Sequence, residues 1–184
     1  MRVTPTTIPE VLIIEPVVFK DERGFFMETY HAERYQKMGI DATFVQDNLS
    51  YSVKGALRGL HFQNPNAQAK MIQAIQGEIF DVAVDIRADS PTFGKWVGEY
   101  LSDKNQKQFF IPEGFAHGYC VLSPTALVAY KCSTLYSAAD EKGIIWNDPE
   151  LKIAWPGKNP LISEKDISLP QLRKASLPHN KSIK

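Results

Sequence analysis

A segment with several hydrogen-bonding side chains, Arg58-Gly59-Leu60-His61-Phe62-Gln63, lies in a stretch that otherwise reads as a buried strand. A neutral imidazole can accept a proton near neutral pH, because the ordinary pKa of histidine is about 6.5. His61 is therefore the first candidate for a general base, and a hydrogen-bonded core histidine is the alternative. Strict strand alternation places Arg58 and His61 on opposite faces, so they can cooperate only if Gly59 marks a bulge or twist.

Lys70 and two tyrosines could supply the other groups that a proton transfer needs. The Lys70 ammonium either lies at the rim of the fold or points inward beside His61, where it would stabilise a developing oxyanion. The Tyr130 phenol stays protonated at neutral pH because its ordinary pKa is about 10, which suits a proton donor. Tyr136 has the same strand parity and could donate a proton or stack. Both tyrosines could equally be packing residues that line a barrel.

Polar residues elsewhere could complete such a site. Gln46, Asn48 and Ser50 share one parity and would project from one face of a strand, where uncharged side chains suit recognition of a sugar or base. A solvent-facing strand edge is an equal alternative. Near the carboxyl end, Ser163-Glu164-Lys165-Asp166 clusters charges, and Asp166 could orient His61 or simply cap a turn.

A turn followed by a histidine, Ile111-Pro112-Glu113-Gly114-Phe115-Ala116-His117-Gly118, resembles the second sequence motif of cupins. Metal-binding cupins carry a His-X-His pair and a glutamate in their first motif. The matching pair here reads His61-Phe62-Gln63, and Lys70 lies near the place of the glutamate. An ammonium repels a divalent cation and has no lone pair to offer. A metal-dependent dioxygenase or isomerase is therefore disfavoured, although His61, His117 and a carboxylate from elsewhere could still assemble a site.

Short β-type segments rich in Val, Ile, Phe and Tyr must position these residues, because they dominate the chain between Gly, Pro, Asn and Asp. The spacing predicts a sandwich or barrel, one helix over His31–Met38 ended by Gly39, and a tight hairpin at Gly77. After Tyr136 a packed but irregular arm is expected. The predicted strands are Val11–Glu15, Gly24–Tyr30, Thr43–Val53, Ala56–Gln63, Lys70–Gln76, Glu78–Ile86, Lys95–Leu101, Lys107–Ile111, Tyr119–Leu122 and Ala126–Tyr136.

The composition limits the classes of function. At 184 residues the chain fits one domain, and no linker, low-complexity tract or repeat divides it. Twenty-one basic residues balance twenty-one acidic ones, so no net field favours nucleic acid or a membrane surface. Cys120 and Cys132 are expected to be core thiols, which favours a reducing cytoplasm. No apolar run approaches the roughly 18 residues of a membrane span.

Taken together, these segments closely resemble the dTDP-4-dehydrorhamnose 3,5-epimerase family, whose members are cupin-like jelly rolls in deoxysugar biosynthesis. The resemblance extends over nearly the whole chain, to about Leu172. The motifs that carry it are Phe19 with Asp21–Glu28, Gln46–Ser50, Leu57–Gln63, Gly77–Val82, Asp85–Arg87, Ser90–Gly94, the segment around His117, Trp146–Pro149 and Ser163–Asp166.

The resemblance implies an all-β, cupin-like jelly-roll barrel with a few short helices. One domain is expected over residues 1–184. The tail from about 175 to 184 matches nothing in the family and is expected to be disordered or to form a surface strap. The implied activity is inversion of C3 and C5 of dTDP-4-dehydro-6-deoxy-D-glucose to give dTDP-4-dehydro-L-rhamnose, with no cofactor and no metal. The implied assembly is a homodimer that binds a dTDP-sugar and neither nucleic acid nor membrane.

By the same resemblance, His61 is the catalytic base oriented by Asp166, Lys70 stabilises the enolate, and Tyr130 supplies a proton from the opposite face. A hydrogen beside the C4 ketone becomes removable only when the enolate oxygen is stabilised, and C3 and C5 both flank that ketone. Tyr136 would stack on the thymine. The other implied substrate contacts are Arg23, Glu28, Gln46, Asp47, Asn48, Arg58, His117, Glu141 and Lys165. Arg23 and Glu28 are implied to reach the neighbouring chain's site.

Two other functions fit the same residues. A relative that inverts only C3 or only C5 could keep the same base and acid, and a non-catalytic jelly roll could bind a nucleotide or glycan. A non-catalytic binding protein would not explain why the chain carries His61, Lys70, Tyr130 and Asp166 together. Both epimerase hypotheses require that the side chains of His61, Lys70 and Tyr130 converge on one cavity.

Overall fold

The protein, seen in a computed structural model that describes residues 1–178, is built mainly from antiparallel strands. Its short helices are α1 (Ala32–Lys37) and α2 (Glu164–Ile167), and a 3₁₀ turn spans Leu172–Lys174. The strands are β1 (Arg2–Pro5), β2 (Leu12–Glu15), β3 (Val18–Asp21), β4 (Gly24–Met27), β5 (Gln46–Val53), β6 (Leu57–Gln63), β7 (Lys70–Gln76), β8 (Glu78–Asp85), β9 (Trp96–Ser102), β10 (Gln108–Ile111), β11 (Phe115–Val121), β12 (Thr125–Cys132) and β13 (Glu141–Gly143).

Two antiparallel sheets face each other. The first sheet has the order β1-β2-β10-β7-β12-β5, the second has the order β13-β6-β11-β8-β9, and β3 and β4 form a separate hairpin. Inner residues of the sheets, such as Ile72 and Val128 in the first and Ile79 and Ala83 in the second, form one apolar core. The predicted all-β jelly-roll architecture with few short helices is confirmed.

Further layers cover the outer faces of both sheets. The arm after β13 packs residues such as Leu151 and Leu172 against the outer face of the second sheet, which explains why β8 is buried on both faces. Helix α1 places Tyr35 against the first sheet beside Met71 and Phe110. No helix within residues 1–178 is long and apolar enough to cross a membrane.

The tail that was expected to be disordered or a strap is attached to the fold as far as the structure describes it. Ala175 and Leu177 pack against the outer cluster of the second sheet. The Asn64 side-chain amide donates hydrogen bonds of 3.1 Å to the carbonyls of Ser176 and Leu177. The rest of the predicted tail, residues 179–184, lies outside the described residues.

Several predicted elements needed correction. Strand β11 begins at Phe115 rather than Tyr119, and β12 ends at Cys132 rather than Tyr136. The prediction that Tyr130 and Tyr136 lie on the same face of one strand was therefore wrong, because Tyr136 lies in a loop. The hairpin expected at Gly77 was wrong, because β7 and β8 lie in different sheets and do not pair. Gly77 instead makes the tight turn that carries the chain from one sheet to the other, with φ 79° and no room for a Cβ beside the Thr125 carbonyl oxygen. Both cysteines are buried and free, as expected.

Candidate active site

A cavity of about 210 Å³ opens between the two sheets. His61 reaches it from the second sheet, whereas Lys70 and Tyr130 reach it from the first. The convergence that both epimerase hypotheses require is therefore present. The complete lining is Gln46, Asn48, His61, Phe62, Gln63, Gln68, Lys70, Tyr130, Cys132, Tyr136 and Glu141.

Strand alternation directs the polar residues of β5 into the space between the sheets. Gln46 and Asn48 line the cavity, and Ser50 Oγ lies 2.6 Å from the hydroxyl of Tyr119 on the second sheet. The interior placement of these three residues, left open by the sequence, is settled by these contacts. Asp47 has the opposite parity, and its side chain is 73% exposed and pairs with Lys131 at 2.8 Å. The Asp47 side chain therefore points away from the cavity of its own chain.

A β-bulge at Gly59 changes the orientation of side chains along β6. Arg58 pairs with Tyr119 and His61 with His117, so three steps along β6 match two along β11. Gly59 has φ 121°, and a Cβ there would lie 2.6 Å from the backbone of β11. The irregularity that cooperation between Arg58 and His61 requires is therefore present, and only glycine fits this position.

The bulge brings Arg58 to the same side of β6 as His61. Arg58 Nε donates a 3.0 Å hydrogen bond to Ser52 Oγ, on the inner face of β5. The guanidinium is otherwise largely exposed, and its charge opposes the rise that burial causes in the pKa of Tyr130. Nη2 also donates to the Tyr51 carbonyl at 3.5 Å, and the remaining N–H groups of the guanidinium suit a phosphate group.

His61 is held by a buried carboxylate. His61 Nε2 lies 2.7 Å from Asp166 Oδ1, and the Gly59 backbone N–H donates to Asp166 Oδ2 at 3.2 Å. Burial alone would raise the pKa of Asp166, but hydrogen bonds from His61 and Gly59 bring it below its usual range. An ionised carboxylate only accepts hydrogen bonds, so the proton of neutral His61 lies on Nε2. The Nδ1 lone pair is therefore available as a base.

Helix α2 positions Asp166. The Ser163 hydroxyl caps the helix by accepting the Asp166 backbone N–H at 3.1 Å, so Asp166 is not the cap of this turn. Its side chain is instead free to contact His61 from the arm that covers the second sheet.

The surroundings of Lys70 and Tyr130 shift the pKa values of these two side chains in opposite directions. Burial lowers the pKa of Lys70, and the negative charges of Cys132, Asp81 and Glu141 oppose this fall. Burial raises the pKa of Tyr130. The phenol therefore keeps its proton over a wider pH range than a free tyrosine, as a proton donor must.

A polar network forms the rim. Glu141 accepts hydrogen bonds from Lys165 Nζ at 2.6 Å and from the Tyr136 hydroxyl at 2.7 Å. Burial favours a raised pKa for Glu141, but these two donors bring it below its ordinary value. The Tyr136 backbone N–H donates to Gln46 Oε1 at 2.8 Å, which fixes the loop that follows β12. Tyr136 is 56% exposed, so its ring is open to a stacking partner.

Besides Asp47, Arg58 and Lys165, three further residues implied by the resemblance lie outside the cavity lining. His117 is buried outside the set of residues that line the cavity, and its Nε2 lies 3.0 Å from both carboxylate oxygens of Asp81. Arg23 pairs with Asp21 at 2.5 Å on the exposed hairpin. Glu28 pairs with Arg34. Within one chain, none of the three reaches the cavity.

Sequence reasoning missed three residues near the site, Gln68, Cys132 and Asp81, and assigned no role to Gln63. Cys132 shares the parity of Tyr130, and an aspartate inside the apolar run Ile79–Ile86 is itself a signal, since buried carboxylates require partners. Gln63 is buried, accepts the Ser137 backbone N–H at 2.8 Å, and so supports the loop that carries Tyr136.

The family is identified by comparison with known proteins. A sequence profile of the dTDP-4-dehydrorhamnose 3,5-epimerase family matches residues 5–174. The chain belongs to this family. The family member from Shigella flexneri, named dTDP-4-dehydrorhamnose 3,5-epimerase, is 56% identical over 170 residues, which is 91% of this chain and 94% of the relative.

Structural similarity agrees with family membership. The crystal structure of the Legionella pneumophila dTDP-6-deoxy-D-glucose-3,5-epimerase in complex with dTDP-4-keto-L-rhamnose has a TM-score of 0.94 and 49% identity, covering 97% of each chain. The Streptomyces niveus dTDP-4-dehydrorhamnose 3-epimerase is 40% identical over 182 residues, which is 96% of this chain and 88% of that protein. The chain is therefore also similar to a family member whose name specifies inversion at C3 alone.

Proposed function

We propose that the protein is a dTDP-4-dehydrorhamnose 3,5-epimerase, converting dTDP-4-dehydro-6-deoxy-D-glucose to dTDP-4-dehydro-L-rhamnose without metal or cofactor. The observation that carries this function is the convergence of the His61–Asp166 pair, Lys70 and Tyr130 on one cavity. The Shigella flexneri and Legionella pneumophila relatives support the same activity.

His61 begins each inversion. Its Nδ1 takes the proton from a carbon beside the C4 ketone, and the Asp166 carboxylate stabilises the imidazolium that forms. The C4 oxygen becomes an enolate, and the Lys70 ammonium in the same cavity stabilises this charge. The ammonium stabilises the enolate-like transition state more strongly than the bound ketone, so it lowers the barrier.

Tyr130 completes the inversion. It reaches the cavity from the sheet opposite to that of His61, so its hydroxyl can return a proton to the other face of the carbon. The raised pKa of Tyr130 keeps this proton in place until the enolate needs it. Because C3 and C5 flank the same ketone, one base and one acid can serve both centres in turn, once solvent has taken the proton from His61 and returned one to Tyr130.

The rest of the site holds the nucleotide and sugar in this proposal. Arg58 binds the diphosphate, and the exposed ring of Tyr136 stacks on the thymine. The network of Glu141 and Lys165 fixes the position of Tyr136. Gln46 and Asn48 offer amide groups to the sugar from the cavity wall.

The activity is tested by proton NMR of dTDP-4-keto-6-deoxyglucose with the protein in D₂O that contains EDTA. We expect deuterium at both C3 and C5 and the same rate without the chelator, because the proposed groups are all side chains. Exchange at one carbon would make the protein a single-centre epimerase, the function favoured by the Streptomyces niveus relative. A heat-denatured sample controls for spontaneous exchange, and no exchange above it would indicate a binding protein.

We also propose a homodimer built on the β3–β4 hairpin, whose Phe19, Phe25 and Phe26 are 57–70% exposed. The outer face of the first sheet is apolar too, with Leu49 and Tyr51 each more than 60% exposed. Apolar patches of this kind mark interfaces, and a second copy of the chain can cover both. In such a dimer the exposed guanidinium of Arg23, on the same hairpin, and Glu28, which follows it, would reach the partner's cavity.

Replacement of Phe26 by aspartate is expected to convert the dimer to a monomer, because it places a charge in the apolar contact. Light scattering after size-exclusion chromatography measures the mass. Leu161→Asp is the matched control, since Leu161 is also exposed, at 58%, but lies on the C-terminal arm away from the hairpin. A wild-type protein with the mass of one chain would contradict the dimer.

A cytoplasmic location is part of the same proposal. Cys120 and Cys132 are free thiols, and free buried cysteines are usual in a reducing compartment.

A further inference from the structure

The loop between β12 and β13, residues 133–140, carries Tyr136 at the edge of the cavity, and we call it the rim loop. Within residues 1–178, no backbone–backbone hydrogen bond reaches Thr134, Leu135 or Tyr136. A segment without such bonds is ordinarily mobile, and a mobile ring loses conformational entropy when it stacks on a ligand. The position of the Tyr136 ring therefore depends on side chains that bind the rim loop.

Gln63 binds the rim loop on both sides of Tyr136. Its Nε2 donates to the Leu135 carbonyl at 3.3 Å, and its Oε1 accepts the Ser137 backbone N–H at 2.8 Å. Nε2 also donates to the Asn66 carbonyl at 2.8 Å. An amide nitrogen has two hydrogens, so Gln63 has no donor left for a substrate although it lines the cavity. Because Gln63 is only 4% exposed, water competes little for these hydrogen bonds.

Two further glutamines bind neighbouring residues of the rim loop. Gln68 Nε2 donates to the Thr134 carbonyl at 2.6 Å, and Gln46 Oε1 accepts the Tyr136 backbone N–H at 2.8 Å. Both glutamines also line the cavity. Side chains of the cavity wall thus hold four consecutive residues, 134–137, of the rim loop.

We propose that Gln63 and Gln68 are positioning residues, which order the rim loop before substrate binds and so hold the Tyr136 ring ready to stack on the base. Stacking on thymine rests on the proposed function, whereas the order of the rim loop in the free protein does not. A ring that is already ordered loses less conformational entropy on binding. The two glutamines therefore act on nucleotide affinity more than on proton transfer.

The order of the rim loop is tested by hydrogen exchange of the ligand-free protein, measured by mass spectrometry of the peptide that contains Tyr136 and Ser137. Gln63→Met keeps the length of the side chain and removes its hydrogen bonds. We expect the amides of this peptide to exchange about 10-fold faster than in wild type, because the loss of one or two hydrogen bonds favours local opening by about this factor. Unchanged exchange would overturn the proposal.

Gln171→Met is the matched control for this substitution. Gln171 is exposed on the C-terminal arm, and its side chain makes no hydrogen bond to the 3₁₀ turn that it precedes. Exchange of the rim loop and affinity for dTDP should both equal those of wild type in this variant. Faster exchange in Gln171→Met as well would overturn the specific role of the cavity glutamines.

Affinity is tested with dTDP by isothermal titration calorimetry. We expect Gln63→Met to raise Kd about 10-fold, and the KM of the dTDP-sugar with it, while kcat changes less. In a Tyr136→Ala background the same substitution should leave Kd unchanged, because the ring through which Gln63 acts is absent. An equal rise of Kd in both backgrounds would overturn the proposal, since Gln63 would then act on the nucleotide by another route.

The two measurements separate failure of this proposal from failure of the proposed function. A wild-type protein that does not bind dTDP would contradict stacking on thymine and the nucleotide role of the glutamines together, whereas hydrogen exchange would still decide whether they order the rim loop.

Gln68→Met serves if Gln63→Met does not fold, because Gln68 lies outside β6 and binds the rim loop through the Thr134 carbonyl alone. We expect changes in exchange and in Kd of the same sign as for Gln63→Met. The absence of both changes would overturn the proposal.

Discussion

Replacement of His61 by glutamine is expected to lower kcat by about 10²–10⁴-fold, the usual contribution of a general base. Deuterium exchange at C3 and at C5 should fall together, because one Nδ1 lone pair serves both carbons. Glutamine is chosen because its side-chain amide can still donate to Asp166, so the buried carboxylate is not left without a partner. Proton NMR of the dTDP-sugar in D₂O measures the two exchange rates separately.

His31→Gln is the control for His61→Gln. His31 is the N-cap residue of α1, and its ring accepts a hydrogen bond from the Arg34 backbone N–H of the same helix. Its variant should retain full activity. If His61→Gln loses exchange at one carbon and retains it at the other, the enzyme has a second base. Tyr130 is then the group to test, because it faces the same cavity from the opposite sheet.

Much of the site could be predicted because strand alternation is a local rule. The parity of Gln46, Asn48 and Ser50 follows from the sequence, and their interior placement follows once a second sheet covers that face. The same rule predicts that the side chain of Asp47, which the family resemblance added to the site, faces away from this cavity, as it does. A bulge at Gly59 was also predictable, since only an irregularity could bring Arg58 and His61 to one side.

Other features depend on contacts between residues far apart in the chain. Asp166 reaches His61 from a helix more than a hundred positions later, and no local pattern decides between capping a turn and orienting a base. The burial of Asp81 by β11 and β9 is likewise a property of sheet order. The end of β12 was misjudged because Thr134 and Tyr136 are residue types common in strands, whereas Ser133 already leaves the strand and its Oγ accepts a hydrogen bond from the Ala69 backbone N–H.

Replacement of Lys70 by methionine is expected to lower kcat by about 10²–10³-fold and to change KM little, because the ammonium interacts more strongly with the enolate than with the ketone. Methionine keeps most of the apolar stem of the lysine. Steady-state kinetics across pH provide the measurement. In wild type, activity should fall as pH rises through the pKa of Lys70, which burial lowers. The residual activity of Lys70→Met should lack this basic limb.

Lys131→Met is the matched control, because Lys131 lies beside the residue that pairs with Lys70 but faces outward and pairs with Asp47. It should leave kcat and the basic limb unchanged. A basic limb that persists in Lys70→Met would assign that limb to Tyr130, contrary to the raised pKa that burial gives this phenol. A rise in KM with kcat unchanged would mean that Lys70 binds the ground state, and the enolate would then require another source of stabilisation.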